Sequence, residues 1–126
     1  MKDVNHKTLG VKDYAFVPKG WGYEKWLVNK PEYCGKVLHM VKDKKFSYHC
    51  HKLKEETFFI SKGSVVVRYG ESADIKESSH VILKEGSIFH IPVGLYHQVQ
   101  AITDSDIIEF STQHFDEDSY RSEKGD

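Results

Sequence analysis

The sequence predicts an all-β protein, built as a sandwich or a small barrel. Three observations carry this expectation. Its apolar runs are rich in Val, Ile, Phe and Tyr, and each is only about four to eight residues long, as strands are. Turn-forming residues recur at short intervals, at Asn29-Lys30-Pro31, Lys62-Gly63, Tyr69-Gly70, Glu85-Gly86, Pro92-Val93-Gly94 and Thr103-Asp104. No long stretch repeats its apolar residues at the spacing of an amphipathic helix.

Eight strands are expected in order. Trp26–Val28 is an apolar triplet stopped by Asn29-Lys30-Pro31, and Val37–Val41 is the next apolar run. Thr57–Ile60 and Ser64–Tyr69 are separated by Lys62-Gly63, and His80–Leu83 and Ser87–Ile91 by Glu85-Gly86. His97–Ala101 follows the Pro92-Val93-Gly94 turn, and Ile107–Phe110 follows Thr103-Asp104. Ser72–Ser79 is expected to be a loop or at most one helical turn. Residues 1–14 read as an N-terminal arm, 15–115 as the domain, and 116–126 as an acidic tail. Either end is expected to fray.

At 126 residues, with 39% hydrophobic and 29% charged residues, the chain has the size and composition of one globular domain. A domain of this length buries roughly two-thirds of its unfolded surface, enough for one core. No apolar run approaches the roughly 18 residues of a membrane helix. The polar start, MKDVNHKTLG, lacks the apolar middle of a signal peptide, so a cytoplasmic location is expected. Eighteen Lys and Arg against nineteen Asp and Glu give a net charge of −1, which argues against nucleic-acid binding by bulk charge. Two cysteines, Cys34 and Cys50, do not make a disulfide framework and suit a reducing compartment.

Eight histidines are the compositional oddity. In Tyr48-His49-Cys50-His51, the two imidazoles stand at i and i+2 on a strand and share a face, while Cys50 points the other way. Glu56 opens the next apolar strand with Phe58 and Ile60 on its face, where a carboxylate is costly to bury unless paired or metal-bound. His97 begins a later strand, with Val99 and Ala101 on its face. Three imidazoles and one carboxylate suit Mn, Fe, Co, Ni or Zn, and the ligand types alone do not choose among them. His6 and His114 read as solvated polar residues. His39, His80 and His90 read as satisfied sheet residues, with His90 a more distant candidate for lining a pocket.

These two segments resemble the two motifs of the cupin superfamily. The first, Gly then H-x-H, Glu and Gly, appears as His49, His51, Glu56 and Gly63. The second, Gly, Pro, Gly, His and a trailing Asn, appears as Gly86, Pro92, Gly94 and His97. Ala101 stands at the position of the Asn, and Asp43 or a neighbour at that of the opening Gly. The flanks resemble the cupin isomerase domain of type II mannose-6-phosphate isomerases. Pro18-Lys19-Gly20-Trp21-Gly22-Tyr23-Glu24 is similar to its Pro-Trp-Gly-x-Tyr-Glu, and His51 to Phe58 to its His-x-x-Arg-x-Glu-His-Trp. Ile108-Glu109-Phe110 and the later Asp116…Arg121 are similar to its close. Lys54 replaces the Arg, Thr57-Phe58 replaces His-Trp, and at this length no nucleotidyltransferase domain accompanies the motifs.

The resemblance implies a jelly-roll barrel with one divalent transition metal near its mouth, held by His49, His51, Glu56 and His97. It implies aldose–ketose isomerisation of a sugar or sugar phosphate through a metal-stabilised enediolate. The general base must not be tied to the metal. Glu109 is the candidate base, although its alternation with Ile108 and Phe110 also reads as outward-facing. Lys54 is a candidate acid or phosphate ligand, or a solvated turn residue. A non-catalytic cupin that binds a sugar or sugar nucleotide, and an Fe(II) oxygenase, are the alternatives. Phe46, Tyr48 and Cys50 are placed opposite the histidine ligands, on a face covered by the N-terminal segment, by a second subunit or, on the plainer reading, by packing within the chain. A homodimer is what the resemblance implies.

Overall fold

The computed structural model describes residues 10–126, so the expectation for His6 falls outside the described residues. Eleven strands run in order among these residues: β1 (Ala15–Lys19), β2 (Gly22–Lys30), β3 (Tyr33–Met40), β4 (Tyr48–Cys50), β5 (Glu56–Lys62), β6 (Ser64–Gly70), β7 (Ser79–Lys84), β8 (Ile88–Ile91), β9 (Tyr96–Ala101), β10 (Ser105–Ser111) and β11 (Tyr120–Glu123). All eight expected strands are present. A 3-10 turn at Ile75–Glu77 fills the Ser72–Ser79 segment, capped by the Asp74 side chain, which accepts from the Lys76 amide. No helix among the described residues is long and apolar enough to cross a membrane.

The strands form two antiparallel sheets. One has the order β1-β2-β3-β10-β5-β8 and the other β11-β4-β9-β6-β7. They face each other as a jelly roll with the core between them. Leu38 and Met40 of β3, Phe58 and Ile60 of β5, Val65 and Val67 of β6, Val99 and Ala101 of β9, and Ile107 of β10 are all buried. Each fully buried aliphatic side chain contributes about 1.5–3 kcal/mol.

Strand alternation fixes which residues enter this core, and it also builds its polar end. On β5 the inward stripe runs Ile60, Phe58, Glu56; on β9 it runs Ala101, Val99, His97. On β10 it runs Ser105, Ile107, Glu109, and on β3 Met40, Leu38, Lys36. Register puts Leu38 opposite Ile107, Lys36 opposite Glu109, and Phe58 opposite Glu109. The apolar positions therefore stack in the middle of the sandwich, and the charged ones collect at one end. Glu109 is buried on the same side as Ile107, while Phe110 is exposed. The outward reading of Glu109 assigned the wrong face of β10 to the core.

Two other expectations are corrected, and a third resolves to packing within the chain. Phe46 is not on the face opposite the histidines. It precedes β4, donates its amide to the Val99 carbonyl, and sets its ring 5.4 Å from His49 and 6.1 Å from His97. Alternation holds only within a strand and does not reach back to it. The face carrying Tyr48 and Cys50 is covered by the chain's own β6–β7 connection and β9. The Tyr48 hydroxyl donates to the Ser72 carbonyl and its ring stacks on Tyr96. Residues 116–126 are not a loose tail: Asp116–Asp118 form a 3-10 turn and β11 pairs with β4. These residues carry too few apolar side chains to read as a strand, and what orders them is backbone pairing.

The departures from the motif glycine and Asn are accommodated locally. Asp43 takes φ 71°, the left-handed conformation that Asp tolerates better than most residues. Its amide donates to the Ala101 carbonyl, and the Ala101 amide donates to Lys44. The backbone thus ties these two segments together without an Asn side chain.

Candidate metal centre

His49, on β4, is the register partner of His97 on β9. His51 follows β4 immediately, on the same face as His49. The three imidazoles each offer a ligand atom, all within 4.8 Å of one another. Glu56 enters from the opposite sheet, its Oε2 3.4 Å from His51 Nε2 and 3.1 Å from His97 Nε2. The four residues proposed from spacing are therefore brought together at the polar end of the sandwich.

Hydrogen bonds on the far side of each ring orient the cluster. Nδ1 of His49 donates to the Ser47 carbonyl at 2.8 Å, Nδ1 of His51 to the Asp118 carbonyl at 2.7 Å, and Nδ1 of His97 to the Leu95 carbonyl at 3.0 Å. A carbonyl can only accept, so each Nδ1 carries a proton and, in the neutral ring, each Nε2 carries a lone pair. This is how metal-binding histidines are held. His97 Nε2 and Glu56 Oε2 are both buried and neither has a hydrogen-bond partner, although they stand 3.1 Å apart. Two facing lone pairs in a buried site repel each other, and a cation between them removes that cost. The donor set and these orphaned atoms fit a divalent transition metal held by His49, His51, His97 and Glu56.

The electrostatics agree. Burial, then the neighbouring His97 and His51, hold His49 well below the usual imidazole range. Burial holds His51 at about 4. Both rings are thus unprotonated near neutral pH, as ligands must be. Burial pushes the Glu56 carboxyl up, but the Lys54 ammonium and the other groups around it outweigh burial and hold its pKa well below the usual range.

A cavity of about 780 Å³ opens over the cluster. Lys54 and Glu109, the other two residues singled out in the sequence, line it. Lys54 is buried, with Nζ 3.0 Å from Glu56 Oε1, 3.2 Å from Glu109 Oε2 and 3.1 Å from His114 Nδ1. Lys54 is therefore not a solvated turn residue. Burial pushes its pKa down, but Glu109 and Glu56 outweigh it and hold the ammonium charged. Burial and the Glu56 charge raise Glu109 above the usual carboxylate range.

Several pocket residues escape a sequence reading. His114 was expected to be solvated. It instead packs edge-on against Trp26, accepts from Lys54 at Nδ1, and donates from Nε2 to Asp116 Oδ1 at 2.9 Å. Burial, Lys36 and Lys54 lower its pKa. Asp118 is buried and accepts from the backbone amides of Lys52, Leu53 and Lys54, so it clamps the turn between His51 and Glu56. No local signal marks His114; Asp118 lies in the Asp116…Arg121 stretch that resembles the isomerase domain's close, but its clamping role rests on contacts some 60 positions away in the chain. Lys36 and Glu24 lie on inward stripes, and the parity rule that found Glu56 could have found them. His39 is satisfied by Asp106 at 2.6 Å, and His90 is exposed against Glu55 rather than in the pocket.

Asp118→Ala should weaken metal binding by about 10–100-fold, measured by competition with a chelating dye, because it frees the turn between His51 and Glu56 and loosens the segment whose backbone carbonyl supports the His51 ring. A folded variant with unchanged affinity would refute the clamp. The depressed histidines also predict a pH effect on the metal-free protein. Between pH 6.5 and about 4 the unfolded chain takes up protons that folded His49 and His51 refuse, so stability falls as pH falls through that window. The melting temperature should drop there, less steeply in His51→Gln; identical slopes would contradict the burial account.

No family model matches the chain, and no curated protein does. Solved structures do. The capsular polysaccharide assembling protein CapF of Staphylococcus aureus is 21% identical with a TM-score of 0.76, over 91% of this chain and 34% of that one. KdgF from Halomonas sp. is 18% identical with a TM-score of 0.69, over 90% of this chain and 94% of that one. Oxalate decarboxylase from Bacillus subtilis is 17% identical with a TM-score of 0.73, over 86% and 30%. This chain spans about a third of the length of CapF and of the decarboxylase. All three are cupin-fold proteins, and the chain has the cupin jelly-roll fold.

Proposed function

We propose that the protein is a metal-dependent aldose–ketose isomerase acting on a sugar or sugar phosphate. One observation carries the reading: a second buried carboxylate, Glu109, lines the cavity beside the ligand cluster without belonging to it. Isomerisation needs a base that is free to move a proton, separate from whatever polarises the substrate oxygens. The sequence resemblance to the isomerase domain, and a structural neighbour described as assembling capsular polysaccharide, support a carbohydrate substrate.

A divalent metal held by His49, His51, His97 and Glu56 would supply Lewis-acid polarisation of a carbonyl oxygen and its neighbouring hydroxyl. The chain's own residues do the rest. Glu109 accepts from Lys54 and from Ser111, both at Oε2, so among the described contacts Oε1 keeps its lone pairs for the substrate. It takes the proton from the hydroxyl-bearing carbon and returns it to the adjacent carbonyl carbon. The hydroxyl proton crosses between the two neighbouring oxygens, which balances the exchange. The raised Glu109 pKa makes it a stronger base than an ordinary carboxylate. Lys54 holds Glu56 and Glu109 in fixed orientation, its three N–H donors each directed to a partner. The aromatic walls from Trp21, Trp26 and Phe46 restrict water around the reacting carbons.

Incubating the metal-loaded protein with mannose 6-phosphate or mannose in D2O should interconvert the aldose with its ketose and place deuterium at the exchanging carbon, read by NMR. Glu109→Gln should lower kcat by about 10²–10⁴-fold while retaining the metal. Saturable sugar binding with no interconversion would replace the isomerase with a sugar-binding cupin. Oxygen uptake with Fe(II) would replace it with an oxygenase.

A further inference from the structure

Among the described residues, Lys36 is the one buried cation of the cavity whose hydrogen-bond donors are not taken up. Its residue is only 2% exposed, yet it lines the cavity. Lys54 is the contrast, because all three of its N–H donors have partners. Among the described residues, the nearest carboxylate oxygen to Lys36 Nζ is Glu24 Oε1 at 3.7 Å, beyond hydrogen-bonding reach. That oxygen already accepts from the Trp26 indole at 2.7 Å. The Trp26 ring covers another side of the ammonium, with its centroid 4.3 Å from Nζ. One side is thus closed by an aromatic face and another by an engaged carboxylate, and the remaining donors face the cavity.

The placement of Lys36 fits an anionic group distant from the reacting end of a sugar. Its strand, β3, pairs with β10, and β10 pairs with β5, which carries Glu56. Two strand spacings, about 10 Å of backbone, separate Lys36 from the strand of the ligand cluster. Glu109 stands between them, in register with Lys36 on one side and Phe58 on the other. A substrate with its reacting carbons at Glu109 and the cluster would extend its far end toward Lys36. Charge favours an anion there. Five cationic and five acidic side chains line the cavity, so a bound divalent metal tips the whole toward positive.

We propose that Lys36 is the specificity-determining anchor for an oxyanion substituent, a phosphate or a carboxylate, on the sugar. The inference rests on the sugar reading above and names which sugars the site prefers. A buried ammonium with free donors binds such a group strongly, because it is desolvated before the ligand arrives.

The test is calorimetric titration of the metal-loaded and metal-free protein with mannose 6-phosphate, glucuronate and neutral mannose. Wild type should bind at least one anionic sugar 10-fold or more tighter than mannose. Lys36→Met should remove that preference while leaving mannose binding within twofold, and Lys36→Arg should restore part of it. The phosphate and carboxylate arms decide which oxyanion is preferred. Equal affinity for charged and neutral sugars in wild type, or unchanged preference in Lys36→Met, overturns the proposal. The wild-type result stands even if the Met variant fails to fold. Anion preference without interconversion would remove the isomerase reading and leave Lys36 in place. Interconversion with equal kcat/KM for charged and neutral sugars would do the reverse.

Discussion

The structure depends on one unfavourable contact. Glu56 Oε2 and His97 Nε2 face each other at 3.1 Å, both buried, and neither is hydrogen-bonded. An unsatisfied buried polar atom costs about 1–3 kcal/mol and a charged one more. A cation between them would remove that cost. The three Nδ1 bonds to backbone carbonyls explain why the rings cannot turn away from one another. Each ring's far side is fixed by backbone, so each Nε2 is aimed inward whether or not a ligand is present.

The rest of the site is arranged around that constraint. Lys54 bridges Glu56 and Glu109, and its one positive charge reduces the repulsion between two carboxylates that share one buried end of the sandwich. His114 completes the ammonium's coordination and donates a hydrogen bond from its own Nε2 to Asp116. Asp118 closes the account from the C-terminal side. Its carboxylate fixes the turn that connects His51 to Glu56, and its carbonyl fixes the His51 ring. Residues after Phe115 are therefore part of the site's construction.

The sequence made the apolar strands and the ligand cluster legible because both rest on alternation. Glu56, Phe58 and Ile60 share a face by parity alone, and so do His97, Val99 and Ala101. Glu109 shows where parity is ambiguous: Ile107, Ile108 and Phe110 are all apolar, so β10 offers two apolar faces and only tertiary packing chooses Ile107. Phe46 failed because it lies outside the strand whose alternation was extended to it. β11, His114 and the role of Asp118 were illegible for a different reason. Their roles come from backbone pairing and from contacts with residues far away in the chain, and neither leaves a local pattern. Asp43 lies between these cases, since its left-handed φ fills a glycine's position without a glycine.

The most direct test is the metal itself. The purified protein, stripped with chelator and titrated with Mn, Fe(II), Co, Ni or Zn, should take up one ion per chain, and X-ray absorption should report three imidazole nitrogens and one carboxylate oxygen among its ligands. His97→Ala should lose that uptake. A wild-type chain that takes up none of these ions, or a His97→Ala chain that holds them as tightly, would contradict the account.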